Sequence, residues 1–103
     1  MGVDEVAAST GRCLFMRITF KLYAMLSDHL PSEFGGERRS GNELPVVLPQ
    51  GDTVQGVIDR FRLPAKLVHL VLLNGVFIPP AERTIRALSD GDQLAIWPPI
   101  AGG

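Results

Sequence analysis

One segment of the chain has the spacing of an α-helix, and it lies between segments with the spacing of β-strands. Its apolar residues recur at positions i, i+3, i+4 and i+7, namely Val54, Val57, Ile58 and Phe61. Asp52 or Thr53 can cap this helix by accepting a free backbone N–H, and Leu63-Pro64 ends it. A single amphipathic helix needs a second apolar surface, which the surrounding strands supply. The predicted fold class is therefore α+β, with one main helix covering one face of a mixed sheet.

Alternation of apolar and polar residues predicts two strands before the helix. The first covers residues 17–23, with its apolar side chains on one face, and the second covers residues 43–48. Pro45 in the second strand cannot donate a backbone hydrogen bond, which indicates an edge position or the start of a strand. One or two turns of helix are predicted over residues 24–30, ended by Pro31. Residues 32–42 are predicted to be a long surface connection, whose conformation the sequence pattern does not indicate.

Three more strands are predicted after the helix. Residues 69–73 are apolar on both faces, as a central strand would be. Asn74-Gly75 supplies two positive-φ positions for a tight hairpin before a strand over residues 76–78. Residues 83–88 form a connector of unassigned structure, and Asp90-Gly91 predicts a turn before the last strand, residues 93–97.

The domain boundaries follow from where these patterns begin and end. Residues 1–15 are small, polar and aperiodic, and are predicted to be a disordered leader. Residues 16–97 form the folded domain, and residues 98–103 a flexible C-terminal tail. Because the first strand of a compact domain commonly begins at the initiator, Met16 is hypothesised to be the true start of the protein.

Composition and charge exclude several classes of function. A chain of 103 residues fits a single domain, and a formal net charge of -1 with one basic pair, Arg38 and Arg39, gives no field for a nucleic-acid backbone. The lone Cys13 cannot form an internal disulfide, which is typical of a reducing compartment. The acidic N-terminus is unlike a secretory signal, and no apolar run approaches the roughly 18 residues of a membrane span. We expect a cytoplasmic protein that binds neither nucleic acid nor membrane.

Residue patterns for an internal active site are absent from the sequence. There is no nucleophile elbow, no glycine-rich phosphate loop and no Cys/His cluster that could hold a metal. His29 and His69 are isolated, and surface or half-buried positions are expected for both. The sequence predicts a protein that is not an enzyme and holds neither a metal nor a cofactor.

The C-terminal tail is the segment that can carry chemistry. A chain end can enter a narrow enzyme slot when its last residues lack side chains, as Gly102-Gly103 do. Pro98-Pro99 favours an extended polyproline geometry, at about 3.1 Å per residue, which holds the tail away from the sheet. The ionised carboxylate of Gly103 is a poor electrophile, so it needs activation, for example adenylation by a partner enzyme. An inert chain end is the alternative interpretation.

Residues 88–103, which read LSDGDQLAIWPPIAGG, resemble the C-terminal signature of the MoaD/ThiS family of ubiquitin-like sulfur carriers. Upstream features occur in the same order as in that family: the first strand and helical turn, the Gly51-Asp52-Thr53-Val54 opening of the helix, and the Leu73-Asn74-Gly75 hairpin. The resemblance covers residues 16–103. It implies a β-grasp fold in which the first and last strands pair in parallel at the centre of the sheet.

The resemblance also implies a function. In such carriers the terminal glycine, here Gly103, is adenylated by an ATP-dependent enzyme related to ubiquitin activators and converted to a thiocarboxylate by a sulfur donor. The ATP is used by the partner, and the carrier binds no cofactor. The tail from Trp97 to Gly103 resembles the aromatic-Pro-Pro tail of the small, non-catalytic subunit of molybdopterin synthase, so molybdopterin biosynthesis is the predicted recipient.

Other recipients and roles stay open. Residues 74–79, followed by Arg83, are closer to ThiS-like carriers that serve thiamine thiazole synthesis. The large subunit of molybdopterin synthase and thiazole synthase are therefore both candidate partners. A ubiquitin-like modifier that joins Gly103 to lysines of other proteins is a further alternative, as is an interaction module with an inert tail.

The predicted partner-binding residues are those of the tail and one strand residue: Pro98, Pro99, Ile100, Ala101, Gly102 and Phe77. Phe77, Ile78 and Trp97 are candidates for an apolar patch that contacts the activating enzyme or a synthase subunit. Adjacent strand residues point to opposite faces, so one of Phe77 and Ile78 must point inward. We expect Ile78 in the core. For Phe77, a core position and a position in the patch are equally expected.

Overall fold

Strand β1 (Phe15–Leu22) lies at the centre of the fold and carries much of its core. In the structure, a computed structural model that describes residues 14–99, β1 pairs antiparallel with β4 (Glu43–Pro49) and parallel with β7 (Gln93–Trp97). Its even-numbered residues are buried and its odd-numbered residues are more exposed, as a period of two requires. The strand begins at Phe15, one residue before the predicted start of the domain.

Five strands form a mixed sheet in the order β4-β1-β7-β5-β6, where β5 is Leu70–Leu73 and β6 is Val76–Phe77. Only the β1–β7 pair is parallel among the four neighbouring pairs of this sheet. Strand β4 is at the edge, as Pro45 indicated. A mixed sheet with parallel first and last strands at its centre and one main helix on one face is the predicted β-grasp fold.

Helix α1 (Val54–Arg60) packs its apolar stripe on the sheet. Thr53 caps it, as one of the two predicted residues, since its hydroxyl accepts a hydrogen bond from the Gly56 backbone N–H at 3.0 Å. Phe61, directly after the helix, contacts the ring of Phe20 with ring centroids 4.9 Å apart. The core is formed by buried residues of β1, β4, β5, β7, α1 and their connections: Met16, Ile18, Phe20, Leu22, Leu26, Leu30, Leu44, Val46, Leu48, Val54, Val57, Ile58, Leu63, Val71, Leu73, Ile78, Leu88, Leu94 and Ile96.

The connection over residues 32–42 has regular structure that the sequence analysis missed. It contains a small hairpin of β2 (Glu33–Phe34) and β3 (Glu37–Arg38), which form a separate two-stranded sheet. Gly35 and Gly36 make the turn, and both have positive φ, at 58° and 88°. Two adjacent glycines are a hairpin signal, but strands of two residues leave no periodicity to support it.

The remaining connections agree with the turn residues. Asn74 and Gly75 have φ values of 52° and 84°, as the predicted tight hairpin requires. The predicted helical turn before Pro31 is a 3₁₀ helix, Ala24–His29, and shorter 3₁₀ helices occur at Ala65–Leu67 and Pro80–Glu82. Within residues 14–99, every helix is too short or too polar to cross a bilayer.

Candidate functional site

The tail leaves the sheet at the end of β7, and this end is held from both sides. The Tyr23 backbone N–H donates to the Ile96 carbonyl at 3.1 Å, and the His69 backbone N–H donates to the Trp97 carbonyl at 3.1 Å. The chain is thus hydrogen-bonded to neighbours on either side up to its last strand residue. Pro98 is buried and Pro99 is exposed, so the tail departs from a fixed point in the middle of the sheet.

An aromatic pair lies at this point of departure. The rings of Tyr23 and Trp97 stack with centroids 4.0 Å apart and planes 3° from parallel. Trp97 is half-buried rather than fully in the core or fully exposed. Tyr23 was not among the predicted site residues, although it was the last residue of the first predicted strand, which was expected to pair with the last strand.

The aromatic pair and three neighbouring apolar side chains are partly exposed on the face of the sheet opposite α1. We call them the open-face patch, which comprises Tyr23, Leu70, Leu72, Phe77 and Trp97. Strand register brings them together, because Leu70 lies opposite Trp97 and Leu72 lies opposite Phe77. Phe77 is 50% exposed, whereas the adjacent Ile78 is fully buried. The core position predicted for Ile78 is therefore confirmed, and the Phe77 side chain is available for contact.

Polar side chains border the patch on the same face. The Lys21 ammonium donates to the Gln93 side-chain oxygen at 2.9 Å and lies 3.8 Å from the Glu43 carboxylate. An apolar centre with a polar rim is the usual composition of a surface that binds another protein. The open-face patch and the root of the tail therefore form one continuous surface on which a partner could hold the tail.

The comparison with family models decides the family. The model of the ThiS family matches residues 34–103, which include α1, β4 to β7 and the whole tail. The chain belongs to the ThiS family. This confirms the MoaD/ThiS-type membership that the tail and hairpin predicted. Family members are small ubiquitin-like modifiers or sulfur carriers, which are generally non-catalytic and work with activating enzymes.

Solved structures from Haloferax volcanii share the fold of this ThiS family member. The solution structure of the HVO 2177 protein superposes with a TM-score of 0.66 at 21% identity, covering 87% of this chain and 89% of that one. The crystal structure of SAMP1 superposes with a TM-score of 0.57 at 22% identity, covering 84% and 99%. Among curated proteins, none matches the sequence significantly.

The remaining predicted site residues fall outside the described part of the chain. Ile100, Ala101, Gly102 and Gly103 lie beyond residue 99, so their roles stay predictions, and Cys13 lies before residue 14. His29 and His69 are both exposed, as expected for isolated histidines. Within residues 14–99, no group of three or more His, Cys, Asp or Glu side chains is placed to hold a metal ion.

One buried charge was missed by the sequence analysis. Arg83, in the connector between β6 and β7, is 7% exposed and is the one buried polar or charged residue among those described. Its Nε donates to the Ile78 carbonyl and its Nη2 to the His69 carbonyl, both at 3.3 Å. Burial lowers the pKa of the Arg83 guanidinium from its ordinary value, and arginine starts high enough to keep its charge. Because arginines are mostly exposed, no residue pattern marked Arg83 as buried.

Proposed function

We propose that this protein is a sulfur carrier, with the carboxylate of Gly103 as the site that is adenylated and converted to a thiocarboxylate. The observation that carries the proposal is that the ThiS family match runs through β7 and the tail to Gly103 itself. The reactive group is then the main chain, and no side chain of the protein takes part in bond making. The protein binds no cofactor in this proposal, and a partner enzyme uses the ATP.

The chemistry divides into two steps, both performed on the tail by partners. A carboxylate oxygen of Gly103 attacks the α-phosphorus of ATP, and pyrophosphate leaves, which gives an acyl adenylate. A hydrosulfide ion from a donor then attacks the acyl carbon, AMP leaves and the sulfur loses its proton to water, so one oxygen of the carboxylate is replaced by sulfur. The first step is needed because an ionised carboxylate does not accept a nucleophile at neutral pH.

The geometry at the end of β7 supports this role. A partner must find the tail in a defined direction, and the hydrogen bonds of Trp97 and Ile96 hold its root in place. Pro98-Pro99 restricts the backbone directly after the root, which lowers the entropy lost when the tail enters a slot. The open-face patch offers contact area beside the root, with the half-exposed Phe77 as its most accessible aromatic ring.

Molybdopterin biosynthesis is the recipient that we propose. The support is the Trp97-Pro98-Pro99 sequence, which resembles the aromatic-Pro-Pro tail of the small subunit of molybdopterin synthase. In this role the large subunit of the synthase would accept the tail, and the sulfur donor would act before the two subunits meet. Thiazole synthase is the corresponding partner if the sulfur serves thiamine. A cytoplasmic location, where the activating enzyme and donor are found, is part of the same proposal.

Intact mass spectrometry tests the carrier role directly. The protein is incubated with ATP, a ubiquitin-activator-like adenylyltransferase and a sulfur donor, beside a matched variant that lacks Gly103. We expect the full chain to gain the mass difference between sulfur and oxygen, and the shortened chain to stay unchanged. The starting mass also establishes that Gly103 carries a free carboxylate, which the proposal requires.

Two further outcomes would redirect the proposal. Isopeptide-linked conjugates to lysines of other proteins, formed without a thiocarboxylate, would favour the ubiquitin-like modifier. No mass change and no conjugates with several activating enzymes would favour an interaction module with an inert tail. Transfer of the sulfur to a molybdopterin precursor with the synthase large subunit, but not to a thiazole precursor with thiazole synthase, identifies the recipient.

A further inference from the structure

A small cleft lies between α1, the 3₁₀ helix Ala65–Leu67 and the connector that carries Arg83. Its volume is about 120 Å³, enough for a few water molecules or one small functional group. Ile58, Leu63 and Val68 contribute apolar walls, and Arg83 supplies the positive charge. The cleft is on the helix side of the sheet, away from the open-face patch.

Arg83 has no ion-pair partner within the described residues. Its hydrogen bonds reach two backbone carbonyls, and no carboxylate of residues 14–99 forms an ion pair with it. Its Nη1 donates no hydrogen bond within that part of the chain. Buried charges in proteins are normally paired, because a lone charge in a medium of low dielectric is costly. A buried guanidinium with a free donor edge in a cleft is therefore suited to an anion from outside.

The neighbours of Arg83 restrict the anion. Asp59 also lines the cleft, and its carboxylate accepts a hydrogen bond from the Gln55 side-chain amide at 2.9 Å. The negative charge of Asp59 repels any anion in the cleft, and it repels phosphate or sulfate, with about two charges, more strongly than an anion with one charge. A planar carboxylate with one charge matches the fork geometry of a guanidinium, and its attached carbon can contact the apolar walls.

We propose that the Arg83 cleft is a carboxylate-binding site, filled by an acidic side chain of the protein that holds the tail. The position supports this source. Arg83 Nη2 donates to the His69 carbonyl, and the His69 N–H donates to the Trp97 carbonyl. The cleft is thus two hydrogen bonds from the root of the tail, and a partner that surrounds the root can reach it. The identity of the partner rests on the function proposed above, whereas the chemistry of the cleft does not.

Acetate is the probe for the chemistry of the cleft. The isotope-labelled protein is titrated by NMR with sodium acetate in place of sodium chloride at constant ionic strength. We expect saturable shifts of the Arg83 Nε–H and of the Val68 amide, with a Kd on the order of millimolar, since a single ion pair supplies the affinity. Ala65→Phe, which adds bulk at a residue lining the cleft, should abolish the shifts. Ala81→Phe, at an exposed alanine of the 3₁₀ helix Pro80–Glu82, is the matched control.

Adenylation kinetics test the source of the carboxylate. With the activating enzyme, Ala65→Phe should raise the KM for the carrier about tenfold and leave kcat unchanged, because a charge-assisted contact made on docking is lost. Ala81→Phe should change neither constant. A shift of KM in this pattern supports an acidic side chain of the partner.

Three results would overturn the proposal or its parts. Shifts that stay linear with acetate, or that persist in Ala65→Phe, would overturn the carboxylate site. Saturable acetate binding with an unchanged KM would overturn the partner as its source and leave a free small carboxylate as the ligand. If no enzyme adenylates the unaltered carrier, the proposed function and the partner fail together, while the acetate titration still decides the cleft.

Discussion

Phe77 and Ile78 are adjacent in the sequence but lie on opposite sides of the sheet edge. Ile78 is fully buried and Phe77 is 50% exposed. Period-two alternation predicts that one of them points inward, and Ile78 is the residue that was expected in the core. The backbone N–H of Ile78 donates to the Val71 carbonyl at 2.9 Å, which fixes Ile78 against the central strands. The two residues therefore allow stability and partner contact to be altered separately.

Valine can replace both Ile78 and Phe77, which allows the two positions to be compared directly. Ile78→Val removes one buried methyl group and should lower the free energy of unfolding by about 1 kcal/mol. Phe77→Val alters an exposed ring and should change it by less than about 0.5 kcal/mol. Urea denaturation measures both. In the adenylation assay the exposed position should be the sensitive one. Phe77→Val should raise the KM for the carrier, and Ile78→Val should leave it unchanged. Equal costs in urea would show that Phe77 is also a core residue.

At the scale of elements, the sequence predicted those parts that have a period. Helix α1 and strand β1 show clear spacings, because each buries one face against the other. The β2–β3 hairpin was missed because its strands have two residues each, and the burial of Arg83 was missed because arginines are mostly exposed. The reactive role of the tail stays a prediction from composition and resemblance. The aromatic pair at its root depends on the strand register, which the sequence pattern does not reveal.

The stacked pair of Tyr23 and Trp97 couples the end of β1 to the end of β7. A double-mutant cycle with Tyr23→Ala and Trp97→Ala should give a coupling energy of about 1 kcal/mol, as stacked aromatic pairs do. Both single variants should slow thiocarboxylation, because the root of the tail then loses its fixed direction. A matched cycle of Tyr23→Ala with Val47→Ala, on the far edge of the same face, should show no coupling. Coupling in both cycles would instead point to a general loosening of the sheet.

On the scale of the whole molecule, the source of stability and the proposed source of chemistry are in different parts of the chain. The buried core runs from Met16 to Ile96, and the acyl group that we propose to react is on Gly103. In the proposed function the fold presents a reactive chain end, and the interior formed by residues 14–99 consists of apolar side chains with Arg83 as their one buried charge. We therefore expect mutations in the core to lower the stability of the fold, and mutations in the tail to abolish thiocarboxylation without unfolding the protein.

Removal of Gly102-Gly103 tests this separation. Because the core of the described residues ends at Ile96, we expect the shortened chain to unfold in urea within about 0.5 kcal/mol of the full chain, while thiocarboxylation is lost completely. The matched control is Ile18→Val, a core change on β1 that should cost about 1 kcal/mol and leave the yield of thiocarboxylate unchanged under native conditions. A cost above about 1 kcal/mol for the shortened chain would mean that the glycines pack on the domain, since an unpacked terminus contributes little to stability. Loss of thiocarboxylation in the folded Ile18→Val variant would place part of the chemistry inside the domain.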